Sequence, residues 1–249
     1  MDLDDEQLLR YSRQIMLPQW DVAGQEKLLG ARVLIVGLGG LGTVCAMYLA
    51  AAGVGHLVLV DFDAVDLTNL QRQIAHGMAD IGRPKVESAR ATLLGLNPQV
   101  QITSIAEKLS PENIQRQVQE ADVVIDACDN FATRFLINES CVREGKPLVS
   151  GAAIRFEGQV SVFFGYRADS PCYRCLYTDE GELPGTCSEN GIIAPLAGVI
   201  GSMQALEALK VIAGVGVTLE GKLLVVDALH NDWRQLRLRK DPDCPVCGS

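Results

Sequence analysis

The sequence predicts an α/β protein: a doubly wound sheet that is parallel in its N-terminal half and mixed or antiparallel in its C-terminal half. Three observations carry that expectation. An apolar run, Val33 to Val36, passes straight into Gly37-Leu-Gly-Gly-Leu-Gly42, and a small-residue helical pattern follows as far as Gly53. A second apolar run, Leu57 to Val60, stops at Asp61, 24 residues after Gly37, the usual reach from the first strand of a dinucleotide-type unit to the end of the second. From Gly158 onward the pattern changes, because Gln159–Phe164, Lys222–Val226 and Trp233–Leu238 alternate or run apolar without crossover helices and read as antiparallel. The first half is therefore Rossmann-like.

Before that unit, Asp5 to Ile15 reads as a short helix with Leu8, Leu9, Ser12 and Ile15 near one face and Arg10 and Arg13 left over. A turn-rich segment, Pro18 to Gly24, leads to a second short helix. Residues 1–30 have no place in a nucleotide unit, and from periodicity alone they cap the core. Within the glycine run, Gly37 permits the tight turn, Gly39 and Gly40 let a ligand approach the backbone, and Gly42 lets helix pack on strand. The free N–H groups at the helix start favour a phosphate, and Asp61 is placed to accept hydrogen bonds from a ribose.

Asp63 to Arg83 is a long polar loop carrying Asn69, Gln71, Arg72 and Gln73, in the position where such folds bind ligands. Pro84 starts a helix through Leu94 with Lys85 in its first turn. A lysine is unfavourable for the helix dipole there, so either a phosphate partner or ordinary exposure explains it. Val100–Ile105 reads as a strand, and Ser110-Pro111-Glu112 opens a helix with a serine cap and an early proline. Val123–Asp126 is a buried parallel strand leading to Cys128, Asp129 and Asn130. An acid just past a strand end holds a cation near phosphates or caps the next helix, and position alone does not separate the two. A helix over Phe131–Glu144 and a strand over Leu148–Ser150 complete a nucleotide-binding half, residues 31–150. The remainder, 151–249, completes one domain spanning 1–249, with no internal repeat.

The 249 residues are 48% apolar, ample for a core, and carry a net charge of −9 with no Lys/Arg-rich run. That balance argues against nucleic acid and anionic membrane surfaces as partners. The acidic start, Met1 to Glu6, lacks the order of a signal peptide. Ile192 to Gly216 is the longest apolar segment, and Pro195, Gln204, Glu207 and Lys210 interrupt it, so it reads as a buried helix. A cytoplasmic protein is the expectation, and its eight cysteines are then not four disulfides.

Cys172 and Cys175 form one C-x-x-C and Cys244 and Cys247 another, with 68 residues between the pairs. Each pair has the spacing of a metal knuckle, and two knuckles supply the four sulfurs of a closed, structural zinc site that ties the C-terminal tail to the body. A redox C-x-x-C is the alternative, but neither pair opens a helix after a strand in the expected manner. Cys187 sits in a polar loop, Thr178 to Asn190, and reads as either a nucleophile or a surface thiol. Cys45 and Cys141 fall on helix faces as core.

Arg13 beside Gln14, the run Gly37–Gly42, Asp61 followed by Asp66-Leu-Thr-Asn-Leu-Gln-Arg-Gln73, Lys85, Asp129-Asn130 and the two C-x-x-C pairs together resemble the MoeB/ThiF family, bacterial relatives of ubiquitin-activating enzymes. Ser150-Gly-Ala-Ala-Ile-Arg155 with Glu157-Gly-Gln159 looks closer to the MoeB branch, of molybdenum cofactor biosynthesis, than to the thiamine-pathway ThiF branch. The resemblance implies an adenylyltransferase. ATP and the C-terminal glycine carboxylate of a small ubiquitin-fold sulfur carrier ending in Gly-Gly give an acyl-adenylate and pyrophosphate. The MoeB-branch carrier is the molybdopterin-synthase small subunit.

By the same resemblance Asp61 holds the ribose, the glycine turn approaches the nucleotide, Arg72 and Lys85 take phosphate charge with Asn69 assisting, and Asp129, with Asn130 beside it, binds magnesium. Arg13 would serve the neighbouring subunit of a homodimer. Cys187 matches a loop cysteine that forms a covalent sulfur link in some branches and is not expected to be essential in the MoeB branch. Some relatives carry a rhodanese domain after the second cysteine pair, whereas this sequence ends two residues after Cys247, so a separate sulfur donor protein is the expectation. Two other readings fit less. An NAD-dependent oxidoreductase leaves Arg72, Lys85 and Asp129 unexplained, and a zinc-stapled scaffold needs no phosphate clamp. A P-loop ATPase is not expected, because no GxxxxGK[ST] occurs in the sequence.

Overall fold

The computed structural model describes residues 3–177 and 191–248. The lead-in forms three helices, α1 (Asp5–Arg10), α2 (Ser12–Ile15) and α3 (Asp21–Gly30). The single helix expected over Asp5–Ile15 is thus broken at Tyr11, whose ring is buried against Gly53 and whose hydroxyl accepts a hydrogen bond from Asn97. Burying that aromatic ring outweighs continuity of a short exposed helix, which has little intrinsic stability. α3 also starts at Asp21, inside the segment that reads as turn.

The nucleotide half follows in the expected order: β1 (Arg32–Val36), α4 (Gly40–Ala52), β2 (His56–Val60), α5 (Lys85–Leu96), β3 (Gln101–Ile105), α6 (Pro111–Gln119), β4 (Val123–Asp126), α7 (Phe131–Arg143) and β5 (Leu148–Ile154). After it come β6 (Glu157–Phe163), α8 (Tyr173–Leu176), α9 (Ala194–Ala213), β7 (Lys222–Asp227) and β8 (Asp232–Arg237). One sheet runs β3-β2-β1-β4-β5-β6-β7-β8, with neighbours parallel from β3 to β5 and antiparallel from β5 to β8. Strand order reverses between β1 and β4, so the crevice at their carboxyl ends is the place where such sheets bind ligands.

Alternate residues of the central strands feed two cores. Val33, Ile35, Leu57, Leu59, Val123 and Ile125 pack under α4, α5 and α9, whereas Leu34, Val36, Val58, Val60 and Val124 pack under α6 and α7. Cys45 and Cys141 are buried in these two layers, as their helix positions predict. β5 outruns its expected end at Ser150 because Gly151, Ala152 and Ala153 pair with β6 and leave room for α9. α9 has the length and apolarity of a membrane span; it lies against α4, β5 and β6, with Leu196, Ala197, Ile200 and Ala208 buried in the core.

Candidate functional site

The turn between β1 and α4 is built by two glycines. Gly37 takes φ +92°, and its N–H donates to the Val60 carbonyl at 2.9 Å. A Cβ on Gly42 would overlap the Gly37 carbonyl oxygen, so helix and strand approach only because position 42 has no side chain. Gly42→Val is accordingly expected to lower stability by about 3 kcal/mol or more. The midpoint of denaturant unfolding tests this, and a wild-type midpoint would refute the packing role. At Gly39 an added Cβ would meet nothing nearer than the Gln73 side chain at 3.7 Å, which leaves that face of the turn open.

Asp61 holds this turn as well as facing the crevice. Its carboxylate accepts from Leu38 N at 2.6 Å and from Asp63 N at 2.9 Å. Burial pushes its carboxyl above the usual range, against the opposing effects of Lys85 and the two N–H bonds. Lys85 is not the ordinary exposed lysine, since it is buried and its ammonium meets Asp63 Oδ2 at 2.8 Å. A phosphate would have to compete with Asp63 for that charge. Arg72 lies against Gly40, donates one bond to the Thr68 carbonyl at 3.1 Å, and is half-buried. The Asn69 carbonyl accepts from Arg72 N and Gln73 N, so Asn69 shapes the turn that presents both residues.

The end of β4 closes the crevice from the other side. Ala127 N donates to Val36 O at 2.9 Å, which lays the Asp126–Asn130 segment beside Gly37. The capping question at Asp129 resolves in favour of its neighbour: Asn130 caps α7 by accepting from Thr133 N at 2.9 Å. Asp129 is exposed, and its carboxylate has no hydrogen bond or ion pair among the described residues. Beneath it, buried Asp126 accepts from Ser150 Oγ at 2.7 Å and Cys128 N at 3.0 Å. His76 underlies the glycine turn, with Nδ1 2.8 Å from Ser88 Oγ and Nε2 3.3 Å from Leu38 O; burial lowers its pKa. Sequence reading missed Asp63, His76 and Asp126, and only the acid two residues after Asp61 carried a local signal.

Thus Gly37, Gly39, Gly40, Gly42, Asp61, Asn69, Arg72, Lys85, Asp129 and Asn130 gather around one crevice. Arg13 does not join them. α2 is tied through Gln14 and Gln25 to the Ala52 carbonyl at the C-terminal end of α4, about 20 Å along that helix from the glycine turn. Cys187 lies outside the described residues.

The four other candidate cysteines converge. Their sulfurs all lie within 4.8 Å of one another, with Cys172–Cys244 at 3.7 Å and Cys175–Cys247 at 3.4 Å. Tetrahedral thiolates at the usual Zn–S length stand about 3.8 Å apart, so this donor set fits zinc. Burial pushes the Cys172 thiol up to about 11, and a bound cation would reverse that penalty by favouring thiolate. Asn138 Nδ2 lies 3.5 Å from Cys172 Sγ, and Asp241 N donates to Cys175 Sγ at 3.4 Å. Such outer contacts orient ligand sulfurs.

Known proteins are similar to this one over nearly the whole chain. The molybdopterin-synthase adenylyltransferase of Escherichia coli (strain K12) is 50% identical over 247 residues, spanning 99% of this chain and 99% of its own length. The sulfur carrier protein ThiS adenylyltransferase of the same strain is 46% identical over 246 residues, spanning 99% of this chain and 97% of its own. Among solved structures, E. coli MccB with ATP superposes with a TM-score of 0.83 at 25% identity, over 96% of this chain and 73% of that one. Residues 11–246 match the ThiF family, and the chain belongs to it.

Proposed function

We propose that this protein is an adenylyltransferase that uses ATP to activate the C-terminal glycine carboxylate of a small ubiquitin-fold sulfur carrier in molybdenum cofactor biosynthesis. The observation that carries the reading is the meeting of the glycine turn, Arg72, Lys85 and Asp129 at the point where strand order reverses. Full-length identity of 50% to a molybdopterin-synthase adenylyltransferase supports the activity and the pathway. MccB, solved with ATP, supports the nucleotide.

In the reaction a carrier carboxylate oxygen attacks the α-phosphorus, and the bond from that phosphorus to the bridging oxygen of pyrophosphate breaks. A carboxylate is a weak nucleophile approaching like charge, so the site must align it and neutralise the triphosphate. The open backbone at Gly39 admits the nucleotide, Gly40 lets Arg72 and Ala197 pack close to the turn, and Asp61 takes the ribose hydroxyls with the lone pairs that Leu38 and Asp63 leave free. Arg72 offers the rest of its guanidinium fork to the phosphates, and Lys85 exchanges its Asp63 partner for one. Asp129, with Asn130 beside it, would hold a magnesium ion, which would supply positive charge to the phosphate oxygens. Zinc at Cys172, Cys175, Cys244 and Cys247 supplies structure only, since four sulfurs leave no open position.

Within one chain Arg13 points from the far end of α4, and it has no ion pair among the described residues. A homodimer that places it in the neighbour's site accounts for both facts. A cytoplasmic location follows from the pathway. The ThiS adenylyltransferase identity of 46% favours a second carrier, that of the thiamine pathway. Carrier-dependent ATP–pyrophosphate exchange, run with each Gly-Gly carrier in turn, tests the reading. Exchange with the molybdopterin-synthase small subunit is expected; exchange only with the thiamine-pathway carrier would move the enzyme to the other branch, and exchange with neither would refute sulfur-carrier activation.

A further inference from the structure

Helix α7 begins at the Asp129 loop and ends beside the cysteine cluster. Two of its buried side chains, Arg134 and Asn138, stand one turn apart on the same face. At the first, the Arg134 guanidinium donates to the Cys128 carbonyl, to the Gly151 carbonyl at 3.0 Å, and to the Tyr173 hydroxyl at 3.2 Å. Buried Asp126 lies 3.8 Å from its Nε. At the second, Asn138 accepts from Tyr173 N at 2.8 Å and reaches Cys172 Sγ. Tyr173 is the residue between the two, since it follows Cys172 inside the first knuckle and is 2% exposed.

These bonds form an uninterrupted route from a metal-ligand sulfur to the peptide that immediately precedes Asp129. A buried guanidinium with three hydrogen bonds and a carboxylate beside it has few other arrangements available, because displacement leaves an unpaired charge in a low-dielectric core. Asp129, by contrast, has no side-chain hydrogen bond or ion pair of its own among the described residues. Its position is therefore inherited from the Cys128 carbonyl, and that carbonyl is held by Arg134.

We propose that Arg134 is a positioning residue through which the cysteine knuckle sets the Asp129 loop, so that metal at the four sulfurs governs magnesium use at the crevice. The proposal rests on Asp129 being the magnesium-binding acid. Tyr173→Phe tests it with least disturbance, since one oxygen is removed while the ring keeps its contacts with Phe135, Phe163 and Tyr177.

In the zinc-loaded protein with its carrier, Tyr173→Phe is expected to raise the magnesium concentration for half-maximal ATP–pyrophosphate exchange about threefold to tenfold, the scale of one typical hydrogen bond's net contribution. The rate at saturating magnesium should stay within about twofold. Amide hydrogen exchange in the nucleotide-free protein gives a readout separate from activity: residues 127–131 should exchange faster in Tyr173→Phe. They should also exchange faster in wild type stripped of zinc, with a smaller further effect of stripping in the variant. Arg134→Lys, which keeps the charge and loses the fork, should shift magnesium use in the same direction. Unchanged magnesium dependence together with unchanged exchange at 127–131 would overturn the coupling. If Asp129→Ala kept normal magnesium dependence, the magnesium reading would fall, and the amide-exchange comparison would still decide whether knuckle and loop are joined.

Discussion

Asp129→Ala is expected to reduce carrier-dependent ATP–pyrophosphate exchange roughly 10³-fold or more, to background, while the protein folds normally. Removing one charged group that stabilises developing phosphate charge in a preorganised site has effects of this order. The structural cost should be small for a specific reason. Asp129 is exposed, caps nothing and pairs with nothing among the described residues, because Asn130 has taken the helix cap and Asp126 the buried bonds. Surface changes of that kind stay within about 0.5 kcal/mol. The informative comparison is exchange rate against thermal midpoint in one preparation. Normal turnover would remove Asp129 from the site, and a collapsed midpoint would mean that the loop has a structural role its contacts do not reveal.

Cys172→Ala is expected to release the metal and destabilise the whole chain by about 3 kcal/mol or more, lowering the thermal midpoint by roughly 6–12 °C. Cys172 is fully buried, and its sulfur packs with Cys244 and Cys247 in a small cluster of its own, apart from the two main cores. Three sulfurs without the fourth hold zinc poorly, and among the described residues the tail beyond β8 then has few other ties: Leu238 N to the Gly221 carbonyl, Lys240 to the Arg167 carbonyl and Asp241 N to Cys175. Zinc analysis of the purified variant beside calorimetry checks both halves. Full metal content would show that Cys172 is not a ligand. Lost metal with an unmoved midpoint would show that the tail is held by something other than the clamp.

Much of this architecture is readable in the chain because its signals are local. The β1 turn announces itself through glycines that are obligatory for steric reasons within six residues, and the strand burial follows from apolar runs that both cores need. The cysteine pairs are visible because knuckle spacing is a local property. Less legible are features decided by what arrives from elsewhere. Tyr11 breaks a periodic helix because Gly53 and Asn97 receive it. Lys85 is claimed by Asp63 across a loop of 21 intervening residues. Gly151 extends β5 because Gln204 of α9 fills the space a side chain would occupy.

The sequence by itself determined the α/β class, the glycine turn with an acid at the end of the second strand, and the paired cysteines, and its motifs taken together carried the resemblance to the family. The first three follow from backbone sterics and residue spacing, which act over a few residues. Tertiary structure alone decided that Asn130 and not Asp129 caps α7, that Arg13 stands at the far end of α4 from the crevice, and that Arg134 joins a cysteine knuckle to the Asp129 loop. Each depends on groups distant in the chain competing for the same hydrogen bonds or the same buried charge, and the outcome of that competition is set only when the sheet brings them together.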